Sequence, residues 1–234
     1  AGAIALSEHM ASLAIFNIPI RLFTNNPWVG YNLIIFTSYV LSAVGAFYFI
    51  SEVTVNRFAA LWGGIFWGFL FFRVHHIGHL QILAFQWFPL IALYLLRNCR
   101  SPNLINSTLL ATFFILQALT SWYLAVIAGI FVLIIFIVEL STIRWSSKHC
   151  FAFLGAAVLV IIAIAPFTTV YIHALKESSL SDRLSAISNL GDQVALLDFF
   201  MPPDATFLGS LFPNNKYSIW GENTLFIGWS VCLV

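Results

Sequence analysis

The groups best suited to chemistry sit in one short stretch, where Phe72 is followed by Arg73, Val74, His75, His76, Ile77, Gly78, His79, Leu80 and Gln81. A guanidinium offers a planar fork of donors that matches phosphate oxygens, and an imidazole donates hydrogen bonds or exchanges a proton near neutral pH. The flanks are apolar, and ionisable groups at a membrane boundary are costly unless they bind something or reach the headgroups. Arg73, with His75, His76, His79 and Gln81, would therefore suit a lipid-linked phosphate. The same residues would also suit an interfacial loop lying against lipid headgroups, and the local sequence leaves both readings open. His75 and His79 are four residues apart, as zinc ligands on a helix face can be, but no HExxH pattern accompanies them.

A second candidate is Ser7, Glu8 and His9. A carboxylate beside an imidazole can act as a base or metal ligand in a shielded pocket. It can also be a plain helix start, with Ser7 as N-cap and Glu8 in the first turn. Asp182 and Arg183 carry the same ambiguity, since an exposed ion pair has little energetic weight. Trp122 and Tyr123 stand where an aromatic belt is expected, as do Trp62, Trp67 and Trp87, and their ring faces would also suit a sugar.

The elements that must position these groups follow from composition. Hydrophobic residues make up 61% of the 234-residue chain and charged residues 8%, with a mean hydropathy of +0.94, against about 45–50% apolar and about 25% charged in soluble domains. Such a chain is expected to be an all-α polytopic transmembrane helix bundle, since a crossing takes about 20 apolar residues. Apolar runs lie at 28–51, 58–72, 80–96, 104–119, 122–140 and 149–173, which predicts six crossings, give or take one. The segment 10–23 contains Asn17, Pro19 and Arg21 and suits an interfacial or re-entrant helix. A net charge of +1 without clustered Lys and Arg argues against a nucleic-acid partner. Cys99, Cys150 and Cys232 are far apart and form neither a disulfide framework nor a zinc spacing.

Short-loop cations set the expected orientation, because cytoplasmic loops carry the excess of Lys and Arg. Arg57, then Arg97 with Arg100, then Arg144 with Lys148 occupy alternate loops and fall on one side. The other side receives Arg73 with its histidines, the turn at Thr120 and Ser121, and a long extracytoplasmic loop at 174–223. That loop holds Asp192, Asp198, Pro202, Pro203, Asp204 and Glu222, and its length suits a lid or binding element. The sequon at Asn106, Ser107 and Thr108 falls on the cytoplasmic side and is set aside. With Ala1 in place of Met and a short apolar run at its end, the sequence reads as a single transmembrane domain, 1–234, truncated at both ends.

The pattern resembles bacterial multi-spanning membrane proteins related to the GT-C glycosyltransferases, which use polyprenyl-phosphate sugar donors. The resembling residues are Ser7, Glu8 and His9; Thr24 to Pro27 leading into Tyr31, Asn32 and Leu33; Phe72 to Gln81; Gln86 to Leu90; Ser121, Trp122 and Tyr123; and Phe199, Pro202, Glu222 and Asn223. The resemblance implies a GT-C-like bundle in a bacterial inner membrane, embedded in the bilayer and taking a lipid-linked sugar donor. In that superfamily the catalytic acid lies in the first extracytoplasmic loop, inside which this sequence would begin. Glu8 then becomes the base that deprotonates the acceptor, with His9 beside it. Arg73, His75, His76, His79, Gln81, Trp122 and Tyr123 bind the donor, and cationic groups or a divalent metal ion assist the departing phosphate.

Two other classes fit the same residues. A transporter or flippase for a lipid-linked sugar would recognise phosphate without chemistry and would place polar groups or broken helices near the bilayer midplane. An assembly protein would have no pocket linking Glu8 to Arg73.

Overall fold

The structure, a computed structural model, describes residues 9–177 except 142 and 144. Every regular element among them is helical: α1 Ala11–Arg21, α2 Pro27–Thr54, α3 Arg57–Gly68, α4 Phe71–His75, α5 Leu80–Leu83, α6 Phe88–Arg100, α7 Leu104–Ala118, α8 Trp122–Leu140 and α9 Ser147–Glu177. Within lipid only a backbone that satisfies its own hydrogen bonds is tolerated, and these apolar runs meet that condition as helices. Five stretches are long and apolar enough to cross a membrane: Pro27–Thr54, Arg57–Val74, Leu80–Arg100, Trp122–Leu140 and Ser147–His173.

Helix starts are written in short polar residues. The Asn26 side chain accepts from the Trp28 N–H at 3.0 Å, with Pro27 at the start of α2. Asn56 accepts from Phe58 and Ala59 at 2.9 and 3.2 Å, Asn103 from Asn106 at 2.9 Å, and Ser121 from Leu124 at 3.4 Å. Between α2 and α3 lie only two residues, Val55, in the left-handed region at φ 54°, and Asn56. So short a connection makes α2 and α3 antiparallel neighbours.

Their contact is closed by glycines four apart. A Cβ placed on Gly64 would lie 2.7 Å from the carbonyl oxygen of Ala43, and one on Gly68 would lie 2.7 Å from the Ala43 Cβ. Small residues at this spacing let membrane helices approach backbone to backbone.

Three expectations need correction. The run at 80–96 is not one continuous helix. It breaks after Leu83 and resumes at Phe88, because Pro89 has no N–H to donate and its ring would clash with the carbonyl four residues earlier. The run at 104–119 gives a helix of 15 residues, about 22 Å long and short of a hydrocarbon core of about 30 Å. The helix expected to end near 173 extends to Glu177, so the long loop starts later than 174, and its remainder lies outside the described residues.

The chain divides into two compact units, Ala1–Phe69 with Leu80–Leu175, and Leu70–His79 with Lys176–Val234. In the first, 72% of the apolar window of Leu80–Arg100 is buried but only 6% of that of Ser147–His173. The α6 region is therefore the core of this unit and α9 is peripheral to it. The ends of its helices are marked chemically. At one end Arg97 meets Glu52 at 2.7 Å, joining α6 to α2. Nearby, His149 Nε2–H donates to the Cys99 carbonyl at 3.1 Å, joining α9 to α6. The short connections of Arg57 to α2, and of Lys148 to His149, put both cations at this end with Arg97 and Arg100.

Candidate functional site

At the opposite end of the first unit, α1 docks on the α7–α8 turn. The Ser12 N–H donates to the Leu119 carbonyl at 3.0 Å, and the hydroxyls of Ser12 and Thr120 share a hydrogen bond. Ser12, Thr120 and Ser121 are fully buried. Met10, in the left-handed region at φ 43°, turns the chain into α1. The turn leaves His9 against Trp122, with ring centroids 5.7 Å apart, and against Phe167 at 5.3 Å. Trp122 in turn faces Tyr171 at 6.2 Å. Trp122 at the start of α8 and Phe167 in the second half of α9 thus pack on the imidazole that precedes α1.

In the same unit, α1 and the first half of α2 flank a cavity of about 280 Å³. Phe16, Ile20, Leu33 and Ile34 line it, and Ser38 and Gln86 contribute its polar surface. The Ser38 hydroxyl donates to Gln86 Oε1 at 2.8 Å. Tyr123 is exposed, and Gln81 is half-buried within α5.

The histidine stretch belongs to the second unit. Arg73 is fully buried, and its N–H closes a turn onto the Leu70 carbonyl at 2.9 Å. His76 is buried and stacks on Phe72 at 4.1 Å. Its Nδ1 lies 2.8 Å from the Phe72 carbonyl. A carbonyl only accepts, so Nδ1 carries the proton and Nε2 of the neutral ring is left as an acceptor. The rings of His76 and His79 are 6.2 Å apart. Helix α4 ends at His75, so the spacing of His75 and His79 does not place them on one helical face. Glu8 lies outside the described residues. The expected meeting of Glu8 and His9 with Arg73, His75 and His79 rests on the sequence alone.

Among the described residues no three His, Cys, Asp or Glu side chains come together to hold a metal ion. The sequence matches, over residues 5–229, the family described as Domain of unknown function (DUF6311). The chain belongs to that family. No curated protein and no solved structure matches it. The DUF6311 region therefore takes in His9, the histidine stretch, the aromatic set at Trp122 and residues 174–223 together.

Several polar residues of this DUF6311 chain escaped sequence reasoning. Gln117 is fully buried and donates from Nε2 to the Ala84 carbonyl at 3.1 Å, which satisfies a backbone group freed by the break at 84–87. Ser38 pairs with Gln86, which the resemblance named without a role, inside an otherwise apolar helix set, and His149 bridges α9 to α6. Polar side chains in the middle of apolar runs were the available signal, since each must find a partner or be expensive.

Proposed function

We propose that this chain is an integral membrane protein of GT-C-like architecture that transfers a sugar from a polyprenyl-phosphate donor on the extracytoplasmic side of a bacterial inner membrane. The observation that carries the reading is the enclosure of His9 by Trp122 and Phe167, at the end of the helices opposite Arg57, Arg97, Arg100 and Lys148. Under the positive-inside rule the cationic end is cytoplasmic and the aromatic end extracytoplasmic. Aromatic faces suit the apolar side of a sugar ring, and the apolar cavity between α1 and α2 suits a prenyl chain.

In this mechanism the Glu8 carboxylate takes the proton of the acceptor hydroxyl. The freed oxygen attacks the anomeric carbon, and the bond from that carbon to the phosphate oxygen breaks. The polyprenyl phosphate leaves with the electron pair; the resemblance assigns its charge to Arg73 and further hydrogen bonds to His76 and His79. Arg73 is the strongest phosphate contact because its charge is permanent and its fork engages two oxygens. His9 orients the acceptor beside Glu8.

The test uses full-length protein in liposomes with a polyprenyl-phosphate-linked sugar, reading both donor binding and release of polyprenyl phosphate. Glu8→Gln should bind donor and fail to transfer. Arg73→Lys should lose binding, and Trp122→Leu should raise KM. No release of polyprenyl phosphate by the wild-type protein would sink the transferase reading, and wild-type behaviour in all three variants would end the assignment of these residues to the site.

A transporter reading has its own support in the break at 84–87 within the stretch Leu80–Arg100, beside the buried Ser38 and Gln86 pair, since transporters build sites on interrupted helices. It predicts donor translocation across vesicles without transfer, abolished in Gln86→Leu.

A further inference from the structure

Helix α9 is held to its neighbours near its two ends. At its start His149 bonds to the Cys99 carbonyl, and Phe153 packs edge-on against Phe136 with centroids 5.3 Å apart. Towards its end Phe167 lies beside His9 and Tyr171 beside Trp122. Alongside the first half of α9, facing the opening turns of α7, runs a groove of about 660 Å³. Phe151, Gly155, Val158 and Leu159 form the α9 wall, and Leu104 and Thr108 lie across from them. Lys148 stands at one end of the lining and is the only charged residue of it among the described residues.

We propose that this groove holds one anionic phospholipid, with its phosphate at the Lys148 ammonium and an acyl chain lying along the α9 wall. Three observations select that occupant. The lining residues recur at positions 148, 151, 155, 158 and 159, one face of a helix. From 148 to 159 that face runs eleven residues, about 16 Å, which matches one leaflet of a hydrocarbon core about 30 Å thick. A single lipid has this length, with its charge at one end. Second, the charge is complementary: Lys148 is a cation, Arg100 lies two residues before Pro102, which lines the groove, and among the described residues the lining has no carboxylate. Glu52 at this end is engaged by Arg97, and Glu139 lies on α8 outside the lining. Third, a Cβ built on Gly155 meets nothing within 4 Å, so the protein leaves the wall open there. Anionic lipid is also what the cytoplasmic leaflet offers at a basic end. The site lies at the other end of the helices from His9 and does not depend on sugar transfer.

The experiment is native mass spectrometry of full-length protein, delipidated and then offered phosphatidylglycerol or phosphatidylcholine. Wild-type protein should retain one phosphatidylglycerol and not phosphatidylcholine. Gly155→Trp, which fills the groove, should lose it, while Gly129→Trp, whose Cβ also meets nothing within 4 Å, should keep it. Lys148→Glu, a change at an exposed position that leaves packing untouched, should weaken retention on the order of ten-fold, and Lys148→Arg should restore it. Retention in Gly155→Trp equal to wild type would overturn the proposal, as would equal retention of both lipids. A lipid-free dimer that dissociates in Gly155→Trp would assign the groove to a second copy of the chain and overturn it too.

Discussion

Replacing Gly64 with alanine should loosen the α2–α3 pair. The new Cβ would sit 2.7 Å from the Ala43 carbonyl oxygen and 3.2 Å from both the Cβ and the backbone nitrogen of Phe47. Carbon atoms rest at about 3.5–4.0 Å, so the clash falls on backbone that no rotamer change can clear, and α3 must move off α2 by roughly 1 Å. Overpacking of this kind costs about 1–3 kcal/mol. Alanine returns at most about 1 kcal/mol of helix propensity, so a mid-range cost of about 2 kcal/mol leaves a net loss of about 1–2 kcal/mol, or about 2–8 °C in Tm for a chain of this size. Gly68→Ala should behave alike, with its Cβ 2.7 Å from Ala43 Cβ and 3.1 Å from Cα. The double variant should lose less than the sum, because both clashes fall on Ala43. Gly63→Ala meets only the tip of Ile50, which can rotate away, and Gly129→Ala meets nothing; both should be neutral or mildly stabilising. Thermal unfolding of the purified protein in detergent, followed by size-exclusion chromatography, reads all five variants. Equal midpoints for Gly64→Ala and Gly129→Ala would refute the reasoning.

His149→Phe should lower stability by about 1–2 kcal/mol, since it leaves the Cys99 carbonyl without its donor; the same thermal assay decides it. A double-mutant cycle of Ser12→Ala and Thr120→Val should give a coupling of about 0.5–1.5 kcal/mol, and zero coupling would remove their hydrogen bond from the docking of α1. Val55→Gly should stabilise the chain by relieving a β-branched residue held at φ 54°, a strain of about 1–2 kcal/mol; a lowered Tm would contradict this. Cysteines replacing Arg57, Arg100 and Lys148 should label from the cytoplasm and one replacing Tyr123 from outside, and labelling of all four from one side would break the topology.

The long helices were legible because an apolar run must be helical in lipid, and their boundaries because Asn26 and Pro27, and then Ser121, sit where caps belong. The break at 84–87 was hidden by hydropathy, which continues through it; Pro89 was the local sign. Gly64 and Gly68 carry no meaning alone, since their role is a distance to Ala43 on another helix. The candidate site divides the same way. Trp122 stood out as an interfacial aromatic, but its contact with His9 depends on α1 folding back onto a turn 108 residues away from Ser12, a relation no local pattern contains. Conversely, the spacing of His75 and His79 suggested a shared helical face that α4 is too short to provide.

The two-residue link at Val55 and Asn56 bears on the order in which this chain is made. The caps at Asn26 and Asn56, the close approach at Gly64 and Gly68, and the turn between them all lie within about forty residues of sequence, so the α2–α3 hairpin can close as soon as Gly68 has left the ribosome. Contacts so near in sequence form quickly. Helix α6, by contrast, is covered by α7 and α8, which are synthesised after it, and it must wait beside that hairpin with its buried face uncovered. The early hairpin is then the surface on which the later helices assemble, and a lesion at Gly64 would reach the cell as reduced yield of inserted protein before any change in activity could be measured.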